Sequence, residues 1–270
     1  MDYDDFTAFE HRGWEHIVQP YESYFGYLTA QSHGALLDAL EVGAGTRMLD
    51  VATGPGNLAA AALERGATLS AVDFSAAMIA HARQSHPDVE FQVASAESLP
   101  FEDESFDAVG ISFGMLHFPH PEAALAEAAR VLRKGGRVAF TVWAAPKRAV
   151  GFQMVLDAVQ QHGRLDVALP AAPPFFRFSD ADESKRVLAE AGFADPQAVE
   201  VDQTWHLAPP ETPFHGLLRG GVRMGALLRA QEPSALARIE KEVKARAAAY
   251  LRDGQLLVPM PCMLASAIKR

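Results

Sequence analysis

The sequence lacks several features that would direct its interpretation toward a secreted, membrane or metal-binding protein. Its 270 residues include one cysteine, Cys262, which excludes an intrachain disulfide and a thiolate-rich metal site. No apolar run approaches the length of a membrane span, and the acidic start MDYDDFTAFE is unlike a signal or transit peptide. We therefore expect a cytoplasmic protein with no membrane partner and no bound metal, in which Cys262 packs in the core.

Positive charge is also scarce. Lys and Arg number 24 against 34 Asp and Glu, giving a formal net charge of −10. Because nonspecific binding to nucleic acid is mainly electrostatic, we expect no nucleic-acid partner. Segment 219–252 is a local exception, with eight basic and three acidic side chains. We interpret it as a solvated helix face, and the guidance of an anionic substrate stays open as the alternative.

The remaining composition is that of a globular enzyme-sized domain. Hydrophobic residues make up 49% and charged residues 21% of the chain, which excludes a disordered or fibrous class. Without repeats or low-complexity tracts, the chain reads as alternating strands and helices. This alternation predicts a single α/β domain over 1–270 with a parallel sheet covered on both faces. The oligomeric state is left open.

Strands and helices are predicted from periodicity and turn residues. The seven predicted strands lie at about 49–51, 68–72, 89–93, 106–112, 137–143, 198–207 and 255–268, the last broken by Pro259 and Pro261. Single predicted helices lie at about 30–42, 57–66, 75–84, 121–132, 151–162 and 180–191, the second of them capped at Asn57, and more than one helix is predicted over about 212–251.

The most informative motif is LDVATGPGN, at 49–57. It joins a buried strand to a helix through the turn Gly54-Pro55-Gly56, where the absence of a Cβ lets a ligand approach the backbone. Asp73 ends the next strand, 19 residues after Gly54. This matches the spacing of about 20 residues at which an acidic side chain meets a ribose diol. The pattern indicates a nucleotide-like ligand.

The identity of that ligand is ambiguous from the turn alone, because Gly54 to Ala59 also fits the dinucleotide fingerprint. Asp50 stands at the end of the first strand, where its charge would repel a pyrophosphate and attract an ammonium group. S-adenosylmethionine carries an amine for Asp50, a ribose diol for Asp73 and a carboxylate for the helix N-terminus. A strand-end capping role for both aspartates is the remaining alternative.

Four motifs in register resemble those of the class I S-adenosylmethionine-dependent methyltransferases, within them the quinone-biosynthesis and small-molecule group. They are LDVATGPGN, AVDFSAAMIAHAR, ASAESLPFEDESFDAV and HFPHPEAALAEAARVLRKGGRV, and together they cover about 45–143. SDADESKRVLAEAGF carries a weaker similarity further along the chain. The resemblance implies a Rossmann-like, doubly wound, mostly parallel sheet of order 3-2-1-4-5-7-6, its last strand antiparallel.

The resemblance also implies a cofactor site for S-adenosylmethionine, which leaves as S-adenosylhomocysteine. The residues that match the family's cofactor positions are Asp50, Thr53, Gly54, Gly56, Asp73, Phe74, Met78, Ala96, Glu97, Ser112 and Phe113. Two positions depart from the family pattern. Ala52 replaces a frequent glycine, which a turn tolerates at negative φ, and Ser95 replaces a frequent aspartate, which weakens the expected adenine contact.

The acceptor side is less defined. His117 is the leading candidate for a general base and His120 follows it, with His11, Tyr21 and His215 more remote. The aromatic segment 1–30 resembles an N-terminal lid, with Trp14 and Tyr21 as its cover. Segments 144–178 and 205–252 are expected to be cap insertions, and their apolar lining would include Trp143, Phe175, Phe176, Trp205 and Phe214.

Three hypotheses follow. The first is methyl transfer from S-adenosylmethionine to the oxygen, nitrogen or carbon of a small, largely apolar molecule. The second keeps the fold and makes the protein an NAD(P)-dependent oxidoreductase, which the GPGNLA match favours and Asp50 opposes. The third is a non-catalytic protein that binds S-adenosylmethionine. The sequence does not define the acceptor.

Overall fold

Residues 3–270 are described by the computed structural model, so the first two residues of the predicted lid segment lie outside the described part. Within that range, strands and helices alternate. The strands are β1 (Arg47–Val51), β2 (Thr68–Asp73), β3 (Glu90–Val93), β4 (Phe106–Ser112), β5 (Leu132–Trp143), β6 (Phe193–Val201), β7 (Thr204–Leu207), β8 (Leu251–Arg252), β9 (Gln255–Pro259) and β10 (Cys262–Lys269).

The helices include both those that cover the sheet and those that stand above it. They are α1 (Asp4–His16), α2 (Val18–Tyr21), α3 (Tyr27–Ala30), α4 (His33–Ala39), α5 (Asn57–Glu64), α6 (Ala76–Ser85), α7 (Pro121–Val131), α8 (Val150–His162), α9 (Ala181–Glu190), α10 (Pro213–Gly220), α11 (Val222–Arg229) and α12 (Pro233–Ala247). A π-helical turn over Glu22–Gly26 joins α2 to α3.

Seven strands form the main sheet in the order β3-β2-β1-β4-β5-β10-β6. The pairs from β3 to β5 are parallel, whereas β10 runs antiparallel to both β5 and β6. Since β10 is the last strand of this sheet in chain order, the expected order 3-2-1-4-5-7-6 is confirmed. The carboxyl ends of β1, β2 and β4 therefore meet at one edge of the sheet.

Apolar residues cover both faces of the sheet. Along β4, Ala108 packs into the cluster formed with α4, α5 and α6, whereas Val109 packs into the cluster formed with α7, α8 and α9. Successive strand residues point to opposite faces, so a strand buried on both faces has few polar positions. The result is a doubly wound sheet whose two apolar layers hold the strand ends in fixed relative positions.

A second, smaller antiparallel sheet has the order β7-β9-β8. It packs against α8, and α8 contacts α10 and α12. The N-terminal helices meet this region where α1 contacts α11 and α2 contacts α10. Residues 3–30 and the two segments predicted as caps thus lie next to one another.

Two predicted strands are wrong as single elements. Segment 198–207 divides into β6 and β7, and segment 255–268 divides into β9 and β10, with one half of each in the main sheet and the other in the small sheet. Proline has no N–H for a strand ladder, so Pro259 and Pro261 mark where the second division falls. The backbone N–H of Met260 instead donates to the carbonyl of Gln203. This hydrogen bond links the two places where the chain passes from one sheet to the other.

The predicted cap of the helix after β1 is also wrong. The residue before α5 is Gly56, with φ of 90°, and Asn57 donates its side-chain amide to Glu22 instead of capping. A Cβ at Gly56 would lie 2.9 Å from ring carbons of both His86 and Phe91. This position therefore requires glycine for packing as well as for its left-handed backbone.

No helix between residues 3 and 270 is both long enough and apolar enough to cross a bilayer. Cys262 is fully buried in β10, and burial raises the pKa of its thiol to about 12. The packing role expected for this cysteine agrees with that position.

Candidate functional site

A cavity of about 340 Å³, here called the main cavity, lies at the carboxyl ends of β1, β2 and β4. Residues that follow these strands form its floor, and residues of α1 and α2 form its roof. Open α/β sheets place their ligands at this edge because the loops after neighbouring parallel strands converge there. The position and the size are those of a site for a cofactor-sized molecule.

Nine of the eleven residues predicted to contact the cofactor line the main cavity. They are Thr53, Gly54, Asp73, Phe74, Met78, Ala96, Glu97, Ser112 and Phe113. The other two, Asp50 and Gly56, do not line it.

Asp73 is held in position by two backbone groups. Its Oδ2 accepts a hydrogen bond from the N–H of Gly54 at 2.9 Å, and its Oδ1 accepts one from Ser75 at the same distance. Each carboxylate oxygen has two lone pairs, so both retain capacity for a ligand hydroxyl. Burial raises the pKa of Asp73 to about 6. A ligand that donates two hydrogen bonds would offset this desolvation.

Asp50 is fully buried at the end of β1. Its Oδ2 accepts a hydrogen bond of 2.6 Å from the hydroxyl of Thr53, which faces the main cavity, while its Oδ1 has no hydrogen-bond partner. Burial raises its pKa to about 7. A cationic group bound nearby would favour the ionised form of this carboxylate and so offset the effect of its burial.

Two residues of the cavity wall adopt a left-handed backbone. Ala52 has φ of 56° and Phe113 has φ of 54°. The expectation that alanine is tolerated at position 52 because φ is negative is therefore wrong. Left-handed φ costs a non-glycine residue on the order of 1 kcal/mol, and such strain commonly occurs at ligand sites. A Cβ added at Gly114 would come within 2.8 Å of the Ala52 Cβ, so the two loops meet closely.

Ser95 and Glu97 form a small hydrogen-bonded turn after β3. The Ser95 hydroxyl accepts from the N–H of Glu97, and Glu97 Oε1 accepts from the N–H of His120 at 2.8 Å. Both residues line the main cavity. Glu97 thus supplies a carboxylate on the side where Ser95 lacks one.

A second, smaller cavity of about 50 Å³ adjoins the main cavity. Both are lined by Trp14, Tyr21, Phe113 and His117, which form the shared wall. The other walls of the second cavity are mostly apolar and come from the π-helical turn, the cap segments and β5. They include Phe25, Trp143, Phe152, Phe175, Leu217, Val222, Arg223 and Met224.

Arg223 is the cationic side chain of that second cavity. It donates to the carbonyl of Pro170, and burial lowers its pKa from the usual range of an arginine. It lies on α11, within segment 219–252. The other basic residues of that segment line neither cavity, whereas Arg223 lines the second one.

Three glutamates tie the N-terminal segment to the sheet edge, and sequence reasoning missed all three. Glu10 contacts His117, Glu15 accepts from the Ser75 hydroxyl at 2.7 Å, and Glu22 accepts from Asn57. These contacts fall after β4, β2 and β1, respectively.

A sequence signal for Glu10 existed. Phe6, Glu10 and Trp14 lie four residues apart on α1, so a carboxylate stands on the apolar face of an amphipathic helix. His33 was missed as well. It lines the main cavity 3.4 Å from the Ser112 hydroxyl, and burial lowers its pKa to about 4, so its ring is neutral at pH 7.

The other candidate residues are not all brought together. His215 lies outside both cavities, in the capping box of α10 with Thr212 and 3.3 Å from Glu240. Phe176 packs against Phe175 and Phe152 behind the second cavity.

Of the remaining histidines, His120 lines the main cavity at its rim, and His11 packs edge-on against Phe74. Trp205 and Phe214 are buried in the cap and line neither cavity. No group of three or more His, Cys, Asp or Glu residues in the described chain could hold a metal ion.

Comparison with known proteins separates the alternatives that the glycine turn left open. A family described as a methyltransferase domain matches residues 49–140. Demethylmenaquinone methyltransferase of Renibacterium salmoninarum is 32% identical over 169 residues, which cover 59% of this chain and 71% of that relative. The chain belongs to the class I S-adenosylmethionine-dependent methyltransferases. This methyltransferase accordingly uses S-adenosylmethionine, and the oxidoreductase and non-catalytic alternatives are set aside.

Further similarities extend the comparison. The ubiquinone/menaquinone biosynthesis C-methyltransferase of Brucella anthropi is 44% identical over 102 residues, covering 34% of this chain and 39% of the relative. A Thermotoga maritima structure described as a possible histamine N-methyltransferase has a TM-score of 0.58 and 19% identity, and covers 97% of this chain and 100% of its own. That likeness shows the fold alone.

Proposed function

We propose that the main cavity of this methyltransferase holds S-adenosylmethionine and that the second cavity receives a small, largely apolar acceptor. The observation that carries the proposal is the wall shared by the two cavities, which is formed by Trp14, Tyr21, Phe113 and His117. Methyl transfer needs the nucleophile, the methyl carbon and the sulfur in line, with water kept away. Two adjoining cavities with an aromatic boundary meet that need.

The floor of the main cavity fits the parts of the cofactor. Asp73 would accept both ribose hydroxyls with its remaining lone pairs, and Ala96 and Glu97 would flank the adenine. Asp50 would favour the methionine amine through the Thr53 hydroxyl, since only Thr53 faces the cavity. Gly56 would act indirectly, by keeping the turn closed.

The walls of the second cavity and the relatives favour a ring-shaped acceptor. Aromatic rings from five elements surround that cavity, and they would pack on a planar molecule. The relatives named above act on demethylmenaquinone or in ubiquinone and menaquinone biosynthesis, one of them at carbon. We therefore propose an aromatic, quinol-type acceptor, with Arg223 facing an oxygen substituent.

Residues up to 30 would act as the lid of a single domain, and segments 144–178 and 205–252 as its caps. The lid lies close against the second of these because Gly13 has no side chain. A Cβ at Gly13 would lie 2.4 Å from a methyl carbon of Val222. The three glutamate contacts of Glu10, Glu15 and Glu22 would then hold the lid shut over both cavities.

A labelled-methyl assay tests the proposed acceptor class. The protein is incubated with S-adenosylmethionine labelled in its methyl group and, in separate reactions, with 1,4-naphthohydroquinone, a short basic peptide or transfer RNA. We expect label in the hydroquinone product only. Label in the peptide or the RNA, or none in the hydroquinone, would overturn the proposed acceptor.

A further inference from the structure

Glu10 is a buried carboxylate in the wall of the main cavity. Its side chain is 1% exposed, and its Oε2 accepts a hydrogen bond of 3.0 Å from the indole N–H of Trp14. The same oxygen lies 2.9 Å from Nδ1 of His117, and Oε1 has no hydrogen-bond partner. A buried carboxylate is costly unless it is paired. The contacts with Trp14 and His117 therefore offset the cost of burying Glu10 and hold its side chain in place.

This contact restricts which nitrogen of the His117 ring carries hydrogen. An ionised carboxylate only accepts hydrogen bonds, so an ionised Glu10 requires Nδ1 of His117 to be the donor in this contact. In the neutral ring the lone pair is then on Nε2, for which the described residues supply no hydrogen-bond partner. Trp14 and Phe175 contact the ring edge-on at centroid distances of 4.9 and 5.9 Å, which restricts its rotation.

We propose that Glu10 is a positioning residue that makes His117 the general base for a hydroxyl group on an aromatic acceptor. This inference rests on the proposed function, since it places that hydroxyl at the wall shared by the two cavities. His117 is suited to the role because it lines both of them. Glu10 acts through the histidine by orienting its ring and stabilising the imidazolium that forms.

The step balances without a further reagent. The hydroxyl proton moves to Nε2 of His117, and the electron pair that it leaves makes the acceptor nucleophilic at oxygen or at a conjugated ring carbon. That pair forms the bond to the methyl carbon. The bond from methyl carbon to sulfur breaks, and its electrons stay on sulfur. If a ring carbon attacks, that carbon then releases its own proton to solvent.

The placement of Glu10 adds a condition to the chemistry. Glu10 belongs to α1, whereas His117 follows β4, so the pair forms only when the lid lies over the sheet edge. An open lid leaves His117 without the group that fixes its tautomer.

A spectroscopic experiment tests the positioning directly and needs no acceptor. Protein with ¹⁵N-labelled histidine is saturated with S-adenosylhomocysteine, and two-bond proton–nitrogen correlation spectra report which ring nitrogen is protonated. We expect a proton on Nδ1 of His117 in the wild type and a mixture of tautomers in Glu10→Ala. A wild-type ring that is protonated on Nε2 and not on Nδ1 would overturn the inference.

Kinetics with 1,4-naphthohydroquinone test the chemical role. We expect Glu10→Ala to lower kcat by about 100- to 1,000-fold, with a change in KM for S-adenosylmethionine below about threefold. Glu10→Gln, which can still accept from Nδ1 but carries no charge, should fold normally and lose less. Asp5→Asn is the matched control on the same helix, because its side chain is exposed and lines neither cavity. It should leave both kcat and the His117 tautomer unchanged.

The two proposals can fail separately. A wild type that leaves the hydroquinone unmethylated overturns the acceptor class. A wild type that methylates it, while Glu10→Ala keeps its kcat, overturns the role of Glu10 and leaves the acceptor class standing.

Discussion

The main cavity, which is the proposed cofactor side of this methyltransferase, and the second cavity, which is its proposed acceptor side, are built in opposite ways. The floor of the main cavity comes from loops after consecutive strands of one sheet, and its polar groups are fixed by short backbone hydrogen bonds, as at Asp73. The second cavity is assembled from the N-terminal helices, β5, α8 and α11, and it is mostly apolar. A rigid polar floor thus faces walls that consist of packed side chains, and the two sides should respond differently to substitution.

The largest expected effect is on the cofactor side. Asp73→Ala removes the proposed acceptor of two ribose hydroxyls, and hydrogen bonds to a charged group contribute about 1.5–3 kcal/mol each. We expect the affinity for S-adenosylhomocysteine to fall by about 100-fold or more in titration calorimetry. Asp180→Ala, which removes an N-cap of α9 outside the cavities, is the control for stability. Equal affinity of the wild type and Asp73→Ala for S-adenosylhomocysteine would show that Asp73 does not bind the ribose.

A substitution at Asp50 should raise the stability of the ligand-free protein and lower its affinity for the cofactor. Burial raises its pKa to about 7 from 3.8, so between these values the native protein binds more protons than the unfolded chain. The free energy of unfolding should therefore fall as the pH rises from 6 to 8. Asp50→Asn should flatten this dependence and stabilise the ligand-free protein at pH 8 by on the order of 2 kcal/mol. Denaturant titrations at both pH values measure it.

The same variant should bind S-adenosylhomocysteine more weakly, because the buried negative charge is gone. An unchanged pH dependence of stability in Asp50→Asn would show that this carboxylate does not cause the loss of stability at higher pH.

A change in the proposed lid should act on the proposed acceptor side without altering the floor of the main cavity. Gly13→Val places a side chain where Val222 already lies, and such overpacking costs about 1–3 kcal/mol. We expect KM for the acceptor to rise by about tenfold while the protein stays folded. Gly34→Val is the matched control because a Cβ there meets no atom within 4 Å. An equal effect of both variants would point to helix propensity instead of lid closure.

The smallest expected effect is at Ala52. The left-handed backbone at this position costs an alanine about 1–2 kcal/mol. Glycine would remove this strain, but its larger unfolded-state entropy would cancel part of the gain. We expect Ala52→Gly to raise the free energy of unfolding by about 0.5–1 kcal/mol, with cofactor affinity unchanged. Thermal unfolding and calorimetry check the two values. A destabilised variant would mean that the Ala52 methyl contact at Gly114 matters more than the strain.

The comparison also explains what the sequence could predict. The strands β1 to β4 and the loops after them carry motifs that resemble those of a known family, and this resemblance implied nine of the lining residues of the main cavity. β6 and β10 were found only as halves of longer segments. Apolar content indicates a strand, but it does not predict which sheet the strand joins. The points at Gln203 and Met260 where the chain changes sheets depend on tertiary contacts.

The acceptor side escaped sequence reasoning for a related reason. Glu10 and Arg223 are separated from His117 by about a hundred residues of chain, so no local pattern relates them to it. Glu10 lines the main cavity and Arg223 the second cavity, and His117 lines both. His215 is the opposite case, since it was a candidate site residue but lies in the capping box at the start of α10.

The antiparallel strand β10 has a consequence for how the protein is made. It pairs with β5 on one side and β6 on the other, although it follows both in the chain. During synthesis, β5 and β6 therefore remain unpaired edges until residues 262–269 have left the ribosome. Exposed edges of this kind invite association between nascent chains, and pairing over long sequence separation is slow. The yield of folded protein should thus depend on how quickly this strand inserts.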